Sequence, residues 1–399
     1  MSRILDELAA KAGLDSWFDY QHLALTKARL MSGPQQRRCL YYKTGAGKSV
    51  TALGQMYLWE QDDVLVVTPP STFDGWTDLG EKFGIKVECM SHAKFRMAGT
   101  KLRRDQAIIA DELHLFGGHA GKGWIKLDRI ARHLQAPIVL ASATPNYNDA
   151  ERVYCVQHIL DPQGTKGGFL DFLYAHCTTE QNPFGMYPIV TGFHQFKGAE
   201  EFLASLPNVD YLPDDLVYTI KDYKFPRVNP PMMSLYGLNE RRGRMIASSM
   251  EEKHAIIDHS MITDSGKLRI DLYDFVMSEW RQAGGPLLVF ANHSTVAQAL
   301  ATRLHSVQEP ATWALVTGDT TTKNKNVLLE AFRQGDYQIL IGTASLATGT
   351  DGLDKVCNSL LILDDTEDDS LRRQLIGRIM PRGLSTNFSS KRVTRVVLT

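Results

Sequence analysis

The chain has 399 residues, of which 43% are hydrophobic and 22% are charged, and its net charge at pH 7 is −1. This length predicts two domains, and the composition is that of an ordinary globular protein, which excludes disordered, collagen-like and coiled-coil chains. The neutral charge balance argues against a large non-specific nucleic-acid surface. Any contact with nucleic acid is therefore expected from local basic patches or backbone amides.

The five cysteines are scattered without a CxxC pair, and no second ligand pair lies at zinc spacing from Cys155 and His158. They are interpreted as reduced structural cysteines of a cytosolic protein. Residues 1–13 predict a short amphipathic helix rather than a signal peptide, and no apolar run reaches the ~18 residues that span a bilayer. We therefore expect a cytoplasmic protein, in the host cytoplasm if a phage encodes it, with no membrane partner.

Two regions of the chain repeat a strand–turn–helix rhythm. Each contains short, non-alternating runs rich in Val, Ile and Leu, as buried parallel strands do. The runs are 39–42, 64–67, 107–110 and 138–141 in the first region, and 287–290, 313–316, 339–341 and 360–363 in the second. Helical stretches such as 295–304 and 324–333 lie between them. This alternation predicts an α/β fold with parallel sheets covered by helices on both faces.

The middle of the chain, from residue 146 to 281, breaks this rhythm with proline-containing loops and charged helical stretches such as 239–259. It is interpreted as a mostly helical insertion followed by a linker. The predicted organisation is therefore a first domain at residues 1–150, the insertion and linker at 151–265, and a second domain at 266–399.

A phosphate-binding loop is predicted where the first strand ends. Residues 42–49 read YKTGAGKS and precede a helix at 50–58, so the backbone N–H groups of the loop would face phosphates at the helix N-terminus. Lys48 would reach the β- and γ-phosphates of ATP, and the Ser49 hydroxyl would ligate Mg²⁺. The nucleotide-binding residues of the loop are Thr44, Gly45, Ala46, Gly47, Lys48 and Ser49. Tyr42 stands where the strict pattern has glycine.

An acidic motif, DELH at 111–114, follows the run 107–110 directly. A carboxylate at the carboxyl end of a strand in an open parallel sheet lies where ligands bind. Asp111 is predicted to hold Mg²⁺, and Glu112 to orient and deprotonate the attacking water. Taken alone, such a pair would sooner be interpreted as a solvated turn.

Two further segments make the combination of motifs specific. Residues 142–145 read SATP after the strand at 138–141, and residues 374–378 read QLIGR on a predicted helix far downstream. A phosphate loop, a DExH, an SAT and a QxxGR motif in this order, across two α/β units, is far more specific than any one of them.

With these motifs the chain resembles superfamily 2 helicases and translocases over most of its length. It is similar in particular to Swi/Snf-type double-stranded-DNA translocases and to compact phage-type DExH helicases. The narrower resemblance rests on Gln21, on VVTPPS at 66–71, on SGKL at 265–268, on TAS at 343–345 and on GTDG at 349–352. The chain departs from the family in the central alanine of SAT, where Swi/Snf-type proteins usually have glycine, and in Pro381, where a second arginine is expected.

The resemblance implies two RecA-like domains in tandem that close on ATP, with a nucleic-acid strand across them. Arg378 would then stabilise the charge that develops on the γ-phosphate. The remaining roles that the resemblance implies are adenine reading by Gln21, ribose contact by Gly349 and Asp351, coupling by His114, Ser142, Thr144 and Gln374, and nucleic-acid contact by Pro69 and Thr343.

Pro381 interrupts the predicted helix that carries Arg378. Proline cannot donate a backbone hydrogen bond and disfavours helical geometry at the preceding residue, so this helix should end near Ile379 or Met380. Arg382 is expected to do the work of the second arginine from a displaced position. The alternative is that Arg382 only caps the C-terminus of the helix.

The leading hypothesis is an ATP-dependent helicase or translocase that acts as a monomer on duplex or branched DNA, with ATP and Mg²⁺ as cofactors. An RNA-remodelling DExH helicase, with RNA as the partner, is the second hypothesis. The third is a nucleotide-gated interaction module without motor activity. The intact Lys48, Ser49, Asp111, Glu112 and Arg378 argue against this module. DNA is favoured over RNA by family resemblance alone.

Overall fold

The computed structural model describes residues 2–43, 45–97, 106–133, 136–143, 150–162, 165, 167–182, 187–212, 219–228, 256–307, 311–346, 352–366, 369–380 and 391–399. The chain folds into two compact units, Met1–Asp215 and Leu216–Thr399. In its described part each unit contains a six-stranded parallel sheet. This confirms the predicted α/β class with two parallel-sheet domains in tandem.

The sheet of the first unit has the strand order β3-β2-β4-β5-β1-β8, and every pairing in it is parallel. Its strands are β1 (Arg37–Tyr42), β2 (Asp63–Val67), β3 (Lys86–Met90), β4 (Ala107–Asp111), β5 (Ile138–Ser142) and β8 (Val209–Leu212). A separate antiparallel hairpin is formed by β6 (Cys177–Glu180) and β7 (Ile189–Phe193).

Helices cover both faces of this sheet. They are α1 (Ser2–Ala12), α2 (Asp19–Arg29), α3 (Lys48–Leu58), α4 (Phe73–Phe83), α5 (His92–Arg96), α6 (Lys122–His133), α7 (Ala150–Leu160), α8 (Phe169–His176) and α9 (Ala199–Ser205). Successive strand residues point to opposite faces. Val64 and Val66 of β2 therefore join the core that contains residues of α1 to α4, while Leu65 and Val67 join the core that contains residues of α5 to α9.

The sheet of the second unit has the order β11-β12-β10-β13-β14-β9 and is also parallel throughout. Its strands are β9 (Ile220–Phe225), β10 (Leu287–Ala291), β11 (Trp313–Val316), β12 (Ile339–Gly342), β13 (Ser359–Asp364) and β14 (Arg392–Leu398). Its helices are α10 (Ile270–Ala283), α11 (Ser294–Val307), α12 (Thr322–Gln334), α13 (Leu353–Val356) and α14 (Asp369–Ile379). The last of these ends at Ile379, as Pro381 predicts.

All eight predicted strand runs lie within strands of the structure. The sequence interpretation missed both strands of the hairpin, β6 and β7. In the two parallel sheets it missed β3, β8, β9 and β14, of which the first three are edge strands. An edge strand has one neighbour and is less buried, so it lacks the continuous apolar run of a central strand. In β3, for example, Lys86 and Glu88 are both exposed.

The segment predicted as an insertion is divided between the two units. Residues of α7, α8 and α9 and of the hairpin belong to a core of the first unit, whose sheet also includes β8, whereas β9 belongs to the second sheet. The observed division at residue 215 differs from the expected boundaries at 150 and 265 because edge strands on either side of it complete the two sheets. Residues 229–255, which hold most of the predicted helix 239–259, lie outside the described residues.

All five cysteines are free thiols, and four of them are buried. Within the described ranges, no group of three or more His, Cys, Asp or Glu side chains is arranged to hold a metal ion. The described helices include none that is both long and apolar enough to cross a lipid bilayer.

A buried ion pair joins the edge strand β8 to β1. Arg38 and Asp210 are only 1% and 7% exposed, and Arg38 Nε donates to Asp210 Oδ2 at 2.8 Å. Lys27 Nζ lies 3.4 Å from the other oxygen of the carboxylate. Because the pair is removed from water, the loss of one partner would leave a buried charge uncompensated.

We predict that Asp210→Asn lowers the free energy of unfolding of the first unit by about 3 kcal/mol. Asp222→Asn is the matched control, since Asp222 on β9 also pairs with an arginine, Arg395, but its side chain is 45% exposed. The control should cost no more than about 1 kcal/mol. Urea denaturation, with hydrogen exchange of peptides from each unit, measures both losses, and equal losses would contradict the prediction.

Candidate active site

The predicted phosphate loop joins β1 to α3 at the carboxyl edge of the first sheet. β1 ends at Tyr42 and α3 begins at Lys48, so the free N–H groups of the first helical turn face outward from this edge. Gly45 and Gly47 have positive φ values of 81° and 73°. A Cβ atom at Gly47 would lie 2.4 Å from Gln21 Nε2, so this position requires glycine. Thr44 lies outside the described residues.

Lys48 folds back over the loop that precedes it. Its ammonium donates to the carbonyl oxygens of Tyr42 at 3.2 Å and of Lys43 at 3.5 Å. Ser49 is the second residue of α3 and is partly buried. A lysine held by carbonyls of its own loop is placed to exchange them for phosphate oxygens, and the neighbouring hydroxyl is available as a metal ligand.

Tyr42, the departure from the strict glycine pattern, is part of the core and does not block the loop. It is 1% exposed, and its ring meets Tyr20 edge-on at 5.2 Å. Its hydroxyl has no hydrogen-bond partner in the described part of the chain. Burial raises the pKa of this hydroxyl, so it remains protonated at any working pH.

Gln21 is buried directly beside the phosphate loop. Its Nε2 donates to Ala46 O at 3.3 Å, its Oε1 accepts from Phe18 N at 3.2 Å, and the Tyr20 hydroxyl donates to the same Ala46 oxygen at 3.0 Å. The structure therefore places Gln21 beside the predicted phosphate loop, where its amide holds Ala46 of that loop; adenine reading by Gln21 stays a prediction.

The acidic motif lies at the end of β4. Asp111 Oδ1 accepts from Glu112 N at 3.0 Å, and Asp111 Oδ2 accepts from the Thr68 hydroxyl at 2.9 Å. Burial raises the pKa of Asp111 to about 6, the Glu112 carboxylate adds to the rise, and the Lys48 ammonium and the Thr68 hydrogen bond oppose it. A buried carboxylate of this kind gains from a nearby cation. Asp111 and Ser49 thus fit Mg²⁺, which takes one or two protein oxygens together with substrate phosphates.

Glu112 has an unusual backbone conformation. Its φ of 52° and ψ of 65° place a non-glycine residue in the left-handed region, where strain is common at functional sites. His114 Nδ1 lies 3.5 Å from Glu112 Oε2. The predicted base and the predicted coupling residue are therefore adjacent.

Two further residues lie at this edge: Thr68, which belongs to the segment VVTPPS but was given no role of its own, and His92, which the sequence interpretation missed. Thr68 follows β2, and its hydroxyl oxygen lies 2.7 Å from that of Thr72. His92 follows β3, and its Nε2 lies 2.8 Å from Asp111 O. Burial lowers the pKa of His92 to about 4. The polar residue after each strand run was the available signal, but the run of β3 was not recognised.

Two other predicted residues of the first unit, Ser142 and Pro69, lie at the same edge. Ser142 ends β5, is fully buried and pairs with Tyr41 across to β1. Pro69 is buried between β2 and the short 3-10 helix Pro70–Thr72, and its carbonyl accepts from the Thr72 hydroxyl at 2.9 Å. Thr144 lies outside the described residues.

In the second unit, Gln374 and Arg378 lie on α14 and are 5% and 7% exposed. The buried Lys325 of α12 donates its ammonium to Ser345 O. Burial lowers the pKa of Lys325 to about 8, and the charge of Arg378 contributes to the shift. Lys325, which the sequence interpretation missed, is therefore a second cation in the neighbourhood of Arg378.

Thr343 follows β12, is buried, and donates its N–H to Val316 O at 3.2 Å. At the neighbouring strand end, His293 N donates to Asp364 Oδ2 at 2.7 Å. The His293 ring also bonds to this oxygen, which raises the pKa of His293. Gly349, Asp351, Pro381 and Arg382 lie outside the described residues.

Residues 268–383 of the chain match the helicase conserved C-terminal domain. A protein of Acanthamoeba polyphaga mimivirus, itself an ATP-dependent RNA helicase by prediction, is 22% identical over 374 residues, which are 86% of this chain and 80% of that protein.

Among solved structures, S. cerevisiae Dbp5 bound to RNA and ADP BeF3 is similar with a TM-score of 0.59 and 15% identity, over 100% of this chain and 88% of that one. The Sulfolobus solfataricus SWI2/SNF2 ATPase core in complex with double-stranded DNA has a TM-score of 0.41 and 14% identity, over 96% of this chain and 88% of that one, and adds nothing to the assignment.

The likeness to Dbp5 shows that the two parallel sheets have the fold of tandem RecA-like domains. The helicase domain match lies within the second of them. The chain therefore contains a helicase C-terminal domain at residues 268–383, within a fold of two RecA-like units.

Proposed function

We propose that the chain hydrolyses ATP to drive movement on nucleic acid, with duplex or branched DNA as its substrate. The observation that best supports this proposal is the hydrogen bond from Thr68 to Asp111. Thr68 opens the loop that resembles a strand-contacting motif, and Asp111 is the proposed Mg²⁺ ligand. A nucleic acid that moves this loop would therefore act on the carboxylate that holds the metal.

In the ATP site, we assign phosphate binding to Lys48 and proton abstraction from the attacking water to Glu112. Ser49 and Asp111 would hold Mg²⁺, which neutralises charge on the phosphates when it is bound. Arg378 would stabilise the charge on the γ-phosphate in the transition state. Gln21 is proposed to contact the adenine, Gly349 and Asp351 the ribose, and Arg382 the phosphates as the displaced second arginine. The residues proposed to couple ATP hydrolysis to movement are His114, Ser142, Thr144 and Gln374. Pro69 and Thr343 are proposed to contact the nucleic-acid strand.

RNA is the second candidate substrate. It is favoured by the mimivirus relative, which is named for RNA, whereas DNA is favoured by the VVTPPS and SGKL segments of this chain. The chemistry proposed for ATP is the same in both cases, so the two candidates differ only in which polymer stimulates it.

The function is tested by the ATPase rate without nucleic acid and with single-stranded, duplex or forked DNA or RNA, side by side. The rate should rise several-fold with duplex or forked DNA. Because the net charge is only −1, the affinity should fall with salt along a shallow slope. Stimulation by RNA alone would select the second candidate. Indifference to every polymer at low salt would overturn the motor proposal.

We predict that Lys48→Ala abolishes hydrolysis and that Glu112→Gln binds ATP but turns over at least about 100-fold more slowly, because the base is lost while the Mg²⁺ ligand remains. Glu88→Gln, on the edge strand β3 of the same sheet, is the matched control and should hydrolyse at the wild-type rate. Binding of a fluorescent ATP analogue separates affinity from turnover. Steady hydrolysis by purified Glu112→Gln protein would refute the assignment of the base.

We predict that Thr68→Val, which removes one hydroxyl at constant volume, lowers the stimulation by nucleic acid about tenfold, since a hydrogen bond to a charged group is lost. The basal rate should fall by less than the stimulated rate. Thr77→Val is the control, because the exposed Thr77 side chain donates its hydroxyl to Phe73 O within α4 rather than to Asp111. Equal stimulation of wild-type and Thr68→Val protein would show that this hydrogen bond does not couple the two sites.

A further inference from the structure

The turn after β4 requires an anchor. Glu112 occupies the left-handed region with φ of 52°, and its carboxylate must nevertheless be held where a water molecule attacks. The carbonyl of Glu112 accepts from Leu115 N at 2.9 Å, which begins the following 3-10 helix, Leu113–Phe116. That contact holds the turn after Glu112. In the peptide before Glu112, the N–H donates to Asp111 Oδ1 at 3.0 Å, and the carbonyl of Asp111 needs a separate partner.

His92 provides this partner from the neighbouring loop. Its Nε2 lies 2.8 Å from the carbonyl oxygen of Asp111, which belongs to the peptide unit that enters Glu112. A carbonyl oxygen can only accept, so Nε2 carries the proton and donates. The contact reaches the backbone, and the Asp111 carboxylate remains available for other ligands.

The imidazole is itself held in place. It is 6% exposed, and its ring meets Phe116 edge-on with centroids 4.9 Å apart. α5 begins at His92, and Ser91 caps it by accepting from Lys94 N at 3.2 Å. Phe95 from the same helix also packs on Phe116, at 5.8 Å. The imidazole of His92 is thus held by α5, at whose start it lies, and by Phe116 of the 3-10 helix, against which its ring packs.

We propose that His92 is a positioning residue for the catalytic turn: it holds the Asp111–Glu112 peptide so that the Glu112 carboxylate faces the attacking water. This inference rests on the proposed role of Glu112 as the base. A donor that fixes the backbone beside the base acts on the rate of the chemical step, because a small displacement of a catalytic group from its reactive geometry lowers the rate steeply.

Two substitutions separate hydrogen bonding from packing. His92→Phe keeps an aromatic ring against Phe116 and loses the donor. His92→Gln carries an amide nitrogen the same number of bonds from Cα as Nε2 and keeps the donor. His176→Phe is the matched control, since His176 is a partly buried histidine of the first unit that packs on the aromatic rings of Phe172 and Phe202.

We predict that His92→Phe lowers kcat about tenfold at saturating ATP and nucleic acid, with KM for ATP and the melting temperature close to those of the wild type. His92→Gln should recover most of this loss, and His176→Phe should leave kcat unchanged. A kcat for His92→Phe equal to that of the wild type would overturn the inference. So would an equal loss in His92→Phe and His92→Gln, because a structural role for the ring alone predicts that result.

A second comparison uses single-turnover hydrolysis in the Glu112→Gln background. If His92 acts through Glu112, adding His92→Phe to Glu112→Gln should change the residual rate by less than about twofold, since residues that act as a unit are non-additive. A further loss of the full tenfold would overturn the inference. An unstimulated wild-type ATPase would instead contradict the proposed motor function, so the two failures are distinguishable.

The ring nitrogen of His92 that carries the proton can be identified in the wild-type protein, so this test does not depend on the folding of a variant. Long-range proton–nitrogen spectra of the ¹⁵N-histidine-labelled full chain should show one buried imidazole that is protonated at Nε2 and neutral at pH 7.5. Its signal should shift when a non-hydrolysable ATP analogue with Mg²⁺ binds. A neutral His92 protonated at Nδ1 would remove the hydrogen bond on which the inference depends, and would therefore overturn it even if His92→Phe failed to fold.

Discussion

The carboxyl ends of neighbouring parallel strands meet at one edge of the sheet, and the candidate ATP chemistry of the first unit depends on this constraint. In the register, Val67 of β2 pairs with Ala110 of β4, so the next residues, Thr68 and Asp111, leave the sheet side by side. The buried carboxylate of Asp111 then has a hydroxyl donor within reach, without which its burial would be costly. The same edge holds the start of α3, where Lys48 and the phosphate loop lie.

The second unit also has a buried carboxylate at the end of a strand, and it is hydrogen-bonded in a similar way. Asp364 ends β13 and is 2% exposed, and its partners come from the loop after the neighbouring strand β10. His293 supplies both a backbone N–H and its ring to one oxygen of this carboxylate. In each unit, therefore, an acid at a strand end is satisfied by the residues that follow an adjacent strand. This pattern keeps both edges rigid enough to position charged ligands.

The chain segment predicted as a separate insertion is part of both units, because it contributes one strand to each parallel sheet. β8 completes the first sheet through the buried pair of Arg38 and Asp210, and β9 extends the second sheet through Asp222 and Arg395 on β14. The first of these pairs is buried and the second is half exposed. Removing one partner of the buried pair in the first unit should therefore lower stability more than removing one partner of the half-exposed pair in the second unit.

The sequence by itself determined the two α/β units, the position of the predicted phosphate loop at 42–49 between β1 and α3, the position of the acidic motif at the end of β4 and the end of the helix that carries Arg378. Central parallel strands are continuous apolar runs, and each of these motifs is contiguous, so both are visible locally. The edge strands β3, β8 and β9, the division at residue 215 and the hydrogen bonds of Thr68 and His92 to Asp111 were decided only by the tertiary structure. These three strands lack a continuous apolar run, and a hydrogen bond between residues on different strands depends on register and strand order, which no local pattern encodes.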